Sequence, residues 1–167
     1  YRRRDFYMST RPLTIEDTLK TTRSADGSAE AMLSAALDYI SQANGRFKAF
    51  VHLDRDRALE EARHLDQLTT LGTPKGALFG VPIAIKDIIH VAGLPTTGGS
   101  LTRKGSEPQA HDAEVVQRLK NAGAIIIGKV ATVEYAFGGW GSNETLGGPV
   151  NPWDLKNHRV PGGSSSG

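Results

Sequence analysis

Cysteine is absent from the chain. That absence excludes a disulfide framework and thiolate metal sites, and it leaves the redox compartment open between cytosol and periplasm. Long apolar runs are also missing, since none approaches the roughly 20 residues a membrane-spanning helix needs. The opening Arg2-Arg3-Arg4 leads to Asp5 and Thr10 instead of an apolar signal region. The expectation is a soluble, cytoplasmic chain with no membrane partner. A chain that opens on Tyr1, with its first methionine at Met8, reads as carrying added leader residues or as having lost earlier ones. Charge of one sign is not massed anywhere: 20 Lys and Arg lie among 18 Asp and Glu, for a formal net charge of +2. No direct nucleic-acid binding is expected from that balance. His52, His64, His90, His111 and His158 lack a paired spacing such as His-Glu-x-x-His, so neither metal nor cofactor is expected.

What is present is a hydrophobic content of 38% over 167 residues, enough for one domain with a core. From Thr14 to about Leu71 the period is helical. Ile15 and Leu19 open it, and Met32, Leu33, Ala36, Leu37 and Ile40 follow at three-four spacing over residues 29–40. Ala43-Asn-Gly45 reads as the end of that helix, residues 47–51 as a short strand, and residues 54–68 as a further helix through Leu59, Ala62 and Leu65. Beyond Gly72 the texture changes. Residues 79–85 and Ile125-Ile-Ile127 are apolar and β-branched, as strands covered on both faces should be. Between them, residues 112–122 carry Val115, Val116, Leu119 and Ala122 on one side, with Gly123 placed to stop a helix. Strand, helix, strand in short order argues for an α/β fold with a parallel sheet. Residues 132–137 suit a helical turn or two, and residues 138–167 read as mostly loop.

Two places could carry chemistry. Lys86 closes an apolar strand and is followed by Asp87. The bland reading is a stem covering apolar surface with its head ion-paired to Asp87, and a lone lysine more often does that. The functional reading is a lysine desolvated enough to give up its proton and act as a general base. The second place is Pro161-Gly-Gly-Ser-Ser-Ser-Gly167. By composition it is as compatible with a flexible linker as with a site. It also matches Gly-x-Ser-x-Gly with Ser165 central, but a nucleophile elbow needs a strand leading in, and residues 150–161 hold two prolines and no strand pattern. Tyr135, Phe137 and Trp140 suit either a pocket lining or core, core being the commoner fate of such residues.

In order along the chain stand Gly76-Ala-Leu-Phe-Gly-Val-Pro-Ile-Ala-Ile-Lys-Asp87, Thr96-Thr-Gly-Gly-Ser100, Asp112-Ala-Glu-Val-Val-Gln-Arg-Leu-Lys-Asn-Ala-Gly-Ala124, Gly128-Lys129, Glu134-Tyr-Ala-Phe-Gly138, Asn151-Pro-Trp-Asp154 and the Gly/Ser run. Together they resemble the amidase signature family from about Gly76 onward. Val130-Ala131 departs from the Thr-Asn that many members carry. The resemblance implies an α/β core with a mixed or parallel central sheet flanked by helices. Residues 1–71 would be a helical region packing on that core, and residues 72–167 the first part of the core itself.

The resemblance also implies a Ser, cis-Ser, Lys triad that hydrolyses carboxamides. Lys86 falls on the general base and Ser164 on the serine held by a cis peptide bond, with Asp87, Gly163 and Ser165 supporting them. Ala136, Phe137, Gly138 and Gly139 fall where members present backbone groups to substrate. The acylating serine, whose neighbouring N–H groups form the oxyanion hole, would lie beyond Gly167, so the 167 residues alone would be inactive. The partners so implied are a small-molecule amide and the remainder of an amidase chain or an oligomeric partner. Three other readings stay open: one subunit of an amidotransferase, a serine esterase using Ser165, and an inactive remnant that binds a partner.

Overall fold

The computed structural model describes residues 14–72 and 76–167. The Arg2-Arg3-Arg4 opening and the first part of the expected 1–71 region lie outside the described residues. Helix α1 (Ile15–Arg23) begins at a capping box: the Thr14 hydroxyl accepts from the Asp17 N–H at 3.1 Å, and the Asp17 carboxylate accepts from the Thr14 N–H at 3.0 Å. Buried Thr22 donates to the Phe79 carbonyl at 2.8 Å, tying α1 to the turn ahead of the sheet.

Helix α2 (Ala29–Phe47) is capped by the Ser28 hydroxyl and by Asp66 of helix α3 (Arg55–Thr70). The Asp66 carboxylate accepts from the N–H groups of Ala29 and Glu30 at 2.7 and 3.1 Å, a favourable place for negative charge at a helix start. Contrary to the expected stop at residues 43–45, α2 runs on through Gly45 to Phe47. A glycine inside a helix costs about 1 kcal/mol. Full burial of Leu33 and Leu37 on α2 outweighs that. The chain reverses instead at Lys48, with φ 54°. Asn44 then clamps the start of strand β1 (Phe50–Leu53), accepting from the Phe50 N–H at 2.8 Å and donating to its carbonyl at 2.9 Å.

Strand β2 (Pro82–Lys86), helix α4 (Glu114–Asn121) and strand β3 (Ile125–Val130) complete the core. The sheet order is β1-β3-β2, with β2 parallel and β1 antiparallel to β3, so the sheet is mixed. Gly123, at φ 88°, ends α4 and lies so close to the turn before β2 that a Cβ there would stand 2.9 Å from Phe79 Cα. The Ile125-Ile-Ile127 run serves both faces, as strand alternation requires. Ile125 and Ile127 join Leu33, Leu37, Ala58, Ala62 and Leu65 under α2 and α3, while Ile126 joins Ile85, Val91, Leu94 and Val116 on the α4 side.

Because β2 and β3 are parallel, Lys86 and Val130 finish side by side and the chain leaves both strands at one edge. Open α/β sheets bind their ligands at that edge. The remaining described chain is loop apart from short helical turns, and the one at Glu134–Ala136 is shorter than the turn or two expected there. No helix among the described residues is long and apolar enough to cross a membrane.

Candidate active site

The Gly/Ser run returns to the end of β3 and lies along it as a short ladder. The Ala131 carbonyl accepts from the N–H groups of Ser166 and Gly167 at 3.2 and 3.1 Å, and Thr132 pairs with Ser165 in an antiparallel bridge. The Ser164 carbonyl accepts from the Val133 N–H at 3.0 Å and from the Thr132 hydroxyl at 3.1 Å. The Gly163–Ser164 peptide is cis. The loop held in this way sets the Ser164 Oγ 2.6 Å from the Lys86 Nζ, joining residues 78 apart in sequence. Glycine is required where the loop crosses its neighbour: at Gly141, with φ 78°, a Cβ would sit 2.0 Å from the Gly162 carbonyl oxygen.

The expected ion pair between Lys86 and Asp87 does not form. Asp87 stands one residue past the end of β2, and its carboxylate turns into the interior, where Lys129 of β3 meets it. The Lys129 Nζ donates to Asp87 Oδ1 at 2.7 Å, to the Pro95 carbonyl at 3.1 Å and to the Thr96 hydroxyl at 3.1 Å. The other Asp87 oxygen accepts from the Thr97 N–H and hydroxyl. Lys129 is 0% exposed and Asp87 1%. A buried pair of this kind is tolerated when its donors and acceptors are used, as here. Lys86 is half-buried and has, among the described residues, the Ser164 hydroxyl as its hydrogen-bond partner and no carboxylate within ion-pair reach. The Lys86 ammonium and the Ser164 hydroxyl are thus in direct hydrogen-bond contact.

The segment of Ala136, Phe137, Gly138 and Gly139 lies beside this loop. A Cβ on Gly163 would stand 3.1 Å from the Gly138 carbonyl oxygen. Tyr135 and Ala136 take left-handed φ of 47° and 60°, which turns the chain outward. Accordingly the three aromatics do not fill core: Tyr135, Phe137 and Trp140 are 51%, 93% and 71% exposed. The N–H groups of Ala136 and Phe137 are used within the turn, donating to Val133 and Glu134. Those of Gly138 and Gly139 have no partner among the described residues and are free to meet a ligand. The Tyr135 phenol is held below its ordinary range by hydrogen bonds with the Ser100 and Thr102 hydroxyls. Ser165 belongs to the ladder beside β3, and no strand precedes it in residues 150–161, so the nucleophile-elbow reading of Ser165 lacks its framework.

Sequence reasoning missed three residues that build this site. Lys129 was legible in principle, since a lysine inside a fully covered strand must be paired. Thr132, which holds the Ser164 carbonyl, and Asn143, which donates to the Gly99 carbonyl at 2.7 Å and accepts from the Leu146 N–H at 2.9 Å, carried no such signal.

The family profile described as Amidase matches residues 31–167. The chain belongs to the amidase signature family. It is 40% identical over 142 residues to the glutamyl-tRNA(Gln) amidotransferase A-subunit of Salinispora arenicola (strain CNS-205), an alignment covering 85% of this chain and 28% of that one. Among solved structures, it superposes with a TM-score of 0.87 and 32% identity on a chain of the vestigial complex tied to the origins of an s-triazine catabolic enzyme, covering 92% of this chain and 33% of that one. The native peptide amidase from Stenotrophomonas maltophilia gives a TM-score of 0.81 at 30% identity, with 93% and 32% covered. This amidase signature chain therefore spans under a third of the length of the curated relative it matches. Its mixed sheet flanked by helices matches the aligned third of those neighbours.

Proposed function

We propose that this chain carries the base and relay residues of an amide hydrolase. The observation that carries the reading is the 2.6 Å contact between the Lys86 Nζ and the Ser164 Oγ on the cis-peptide loop. Lys86 takes a proton from the Ser164 hydroxyl while that hydroxyl takes one from an acylating serine beyond Gly167. The activated oxygen attacks the amide carbon, and the oxyanion that forms is met by backbone N–H groups. The free N–H groups of Gly138 and Gly139, adjacent in sequence and beside Gly163, are suited to hold the substrate near that centre. Collapse of the tetrahedral species returns a proton through Ser164 to the leaving nitrogen, and water then releases the acid by a second passage of protons along the same relay.

The substrate class is a small carboxamide, and the chain acts in the cytoplasm together with the rest of an amidase polypeptide or an oligomeric partner. The amidotransferase subunits among the curated relatives favour one second reading, in which the ammonia released is passed to an acceptor inside a complex. The test is ammonia release from a panel of simple carboxamides by the natural full-length protein and its Lys86→Ala and Ser164→Ala variants. Loss of turnover in both variants supports the assignment. Turnover that survives Lys86→Ala removes the base role.

A further inference from the structure

We propose that Lys129 is a positioning residue for Lys86, acting through Asp87 by keeping that carboxylate engaged and so denying Lys86 a counter-ion. This deepens the reading above and rests on it for its functional meaning. Asp87 follows Lys86 directly and would be its nearest carboxylate partner. Instead both carboxylate oxygens are committed, one to the Lys129 ammonium and the other to the Thr97 N–H and hydroxyl. The backbone of Asp87 is committed as well, its N–H donating to Val130 at 2.9 Å and its carbonyl accepting from Gly98 at 2.8 Å. That leaves a side-chain flip as the route by which Asp87 could reach Lys86. Lys129 blocks this route with three donors fixed on Asp87, Pro95 and Thr96.

The charged surroundings are simple. Asp87 lies on Lys86's own turn and Lys129 on β3, with His52 of β1 opposite Lys129 in register. The exposed Glu134 and Tyr135 follow Val133. The segments 96–100 and 161–167 that close over the strand ends contain no titratable residue. An unpaired Asp87 would therefore find Lys86 as the available cation, and the neutral form of Lys86 would become scarcer.

The experiment is competitive acetylation of Lys86, quantified by mass spectrometry at a fixed pH with acetic anhydride as the probe, on the natural full-length protein. In Lys129→Met the acetylation rate at Lys86 is expected to fall by about tenfold, the consequence of a neighbouring carboxylate that raises proton affinity by about one pH unit. In the double variant Asp87→Asn with Lys129→Met, where no carboxylate is left to capture Lys86, the rate is expected to return to within about twofold of the parent. Lys129→Gln, which keeps a donor but no charge, is read in place of Lys129→Met if the latter does not fold, with a fall of at least about threefold expected. An unchanged Lys86 rate in either folded single variant overturns the proposal, as does a double variant as slow as the single one. The readout needs no turnover, so failure of the hydrolase reading, seen as full activity in Lys86→Ala, is recorded separately.

Discussion

Lys86 and Lys129 stand one register step apart on adjacent parallel strands, Ile85 facing Lys129 and Lys86 facing Val130, yet their environments are opposite in kind. Lys129 lies inside a strand covered on both faces, is fully buried, and has an acceptor for each of its three protons. Lys86 lies at a strand end, half-buried, against one hydroxyl. The same side chain is a structural strut in one place and a candidate base in the other. What separates them is the carboxylate of Asp87, which sits beside Lys86 in sequence and bonds to Lys129 in space.

The comparison can be broken from either side. On the reading above, the largest effect falls on activity: Lys86→Ala should lower kcat/KM of the full-length protein by about 10²-fold or more, the contribution typical of a positioned acid or base, with little change in melting temperature. Initial-rate measurements with a simple carboxamide check it. Lys129→Ala should differ by destabilising the fold as well, by about 3 to 5 kcal/mol, because a buried ion pair loses one partner, and chemical denaturation would read this.

Asn143→Ala should come next. It strips the Gly99 carbonyl and the Leu146 N–H of their partner, for a loss of about 2 kcal/mol by the same method. A smaller effect is expected at Asp112. Its burial pushes the carboxyl upward, but the hydrogen bond from Lys120, the Ala92 N–H and the charges of Lys120 and Arg57 together hold it below its ordinary value. A carboxyl depressed in the folded state contributes stability above its unfolded value, near pH 4, and loses that contribution as pH falls through the lower folded value. Asp112→Asn should thus cost about 1 kcal/mol at neutral pH and progressively less as the pH falls below the unfolded value, a trend that urea titrations across that range would resolve. The exposed pair of Arg118 and Glu114, at 2.8 Å on α4, is the smallest case, and Arg118→Ala should stay within about 0.5 kcal/mol.

Much of the architecture can be read from periodicity, because α2, α3, α4 and the two apolar strands each carry the pattern of the face they bury. Sequence and structure part where local preference competes with packing. Gly45 has the character of a helix end and is helix interior, since the buried leucines of α2 hold the helix through it and Lys48 makes the reversal. The aromatics at 135, 137 and 140 have the character of core, but left-handed φ at Tyr135 and Ala136 sends the chain to the surface. The partner expected of Lys86 is its sequence neighbour, and Lys129 and Thr97 hold that neighbour's carboxylate instead.

By itself the sequence determined the kinds of element, the two-faced burial of the central strand and the resemblance carried by its ordered motifs, since these depend on residue type and short-range spacing. The tertiary structure alone decided which lysine meets which acceptor. Lys86 and Ser164 are 78 residues apart, and their contact depends on the parallel pairing of β2 with β3 and on the loop folding back along residues 131–133. No local spacing encodes that return. It follows from hydrogen bonds that exist only once the sheet has brought both strand ends to one edge.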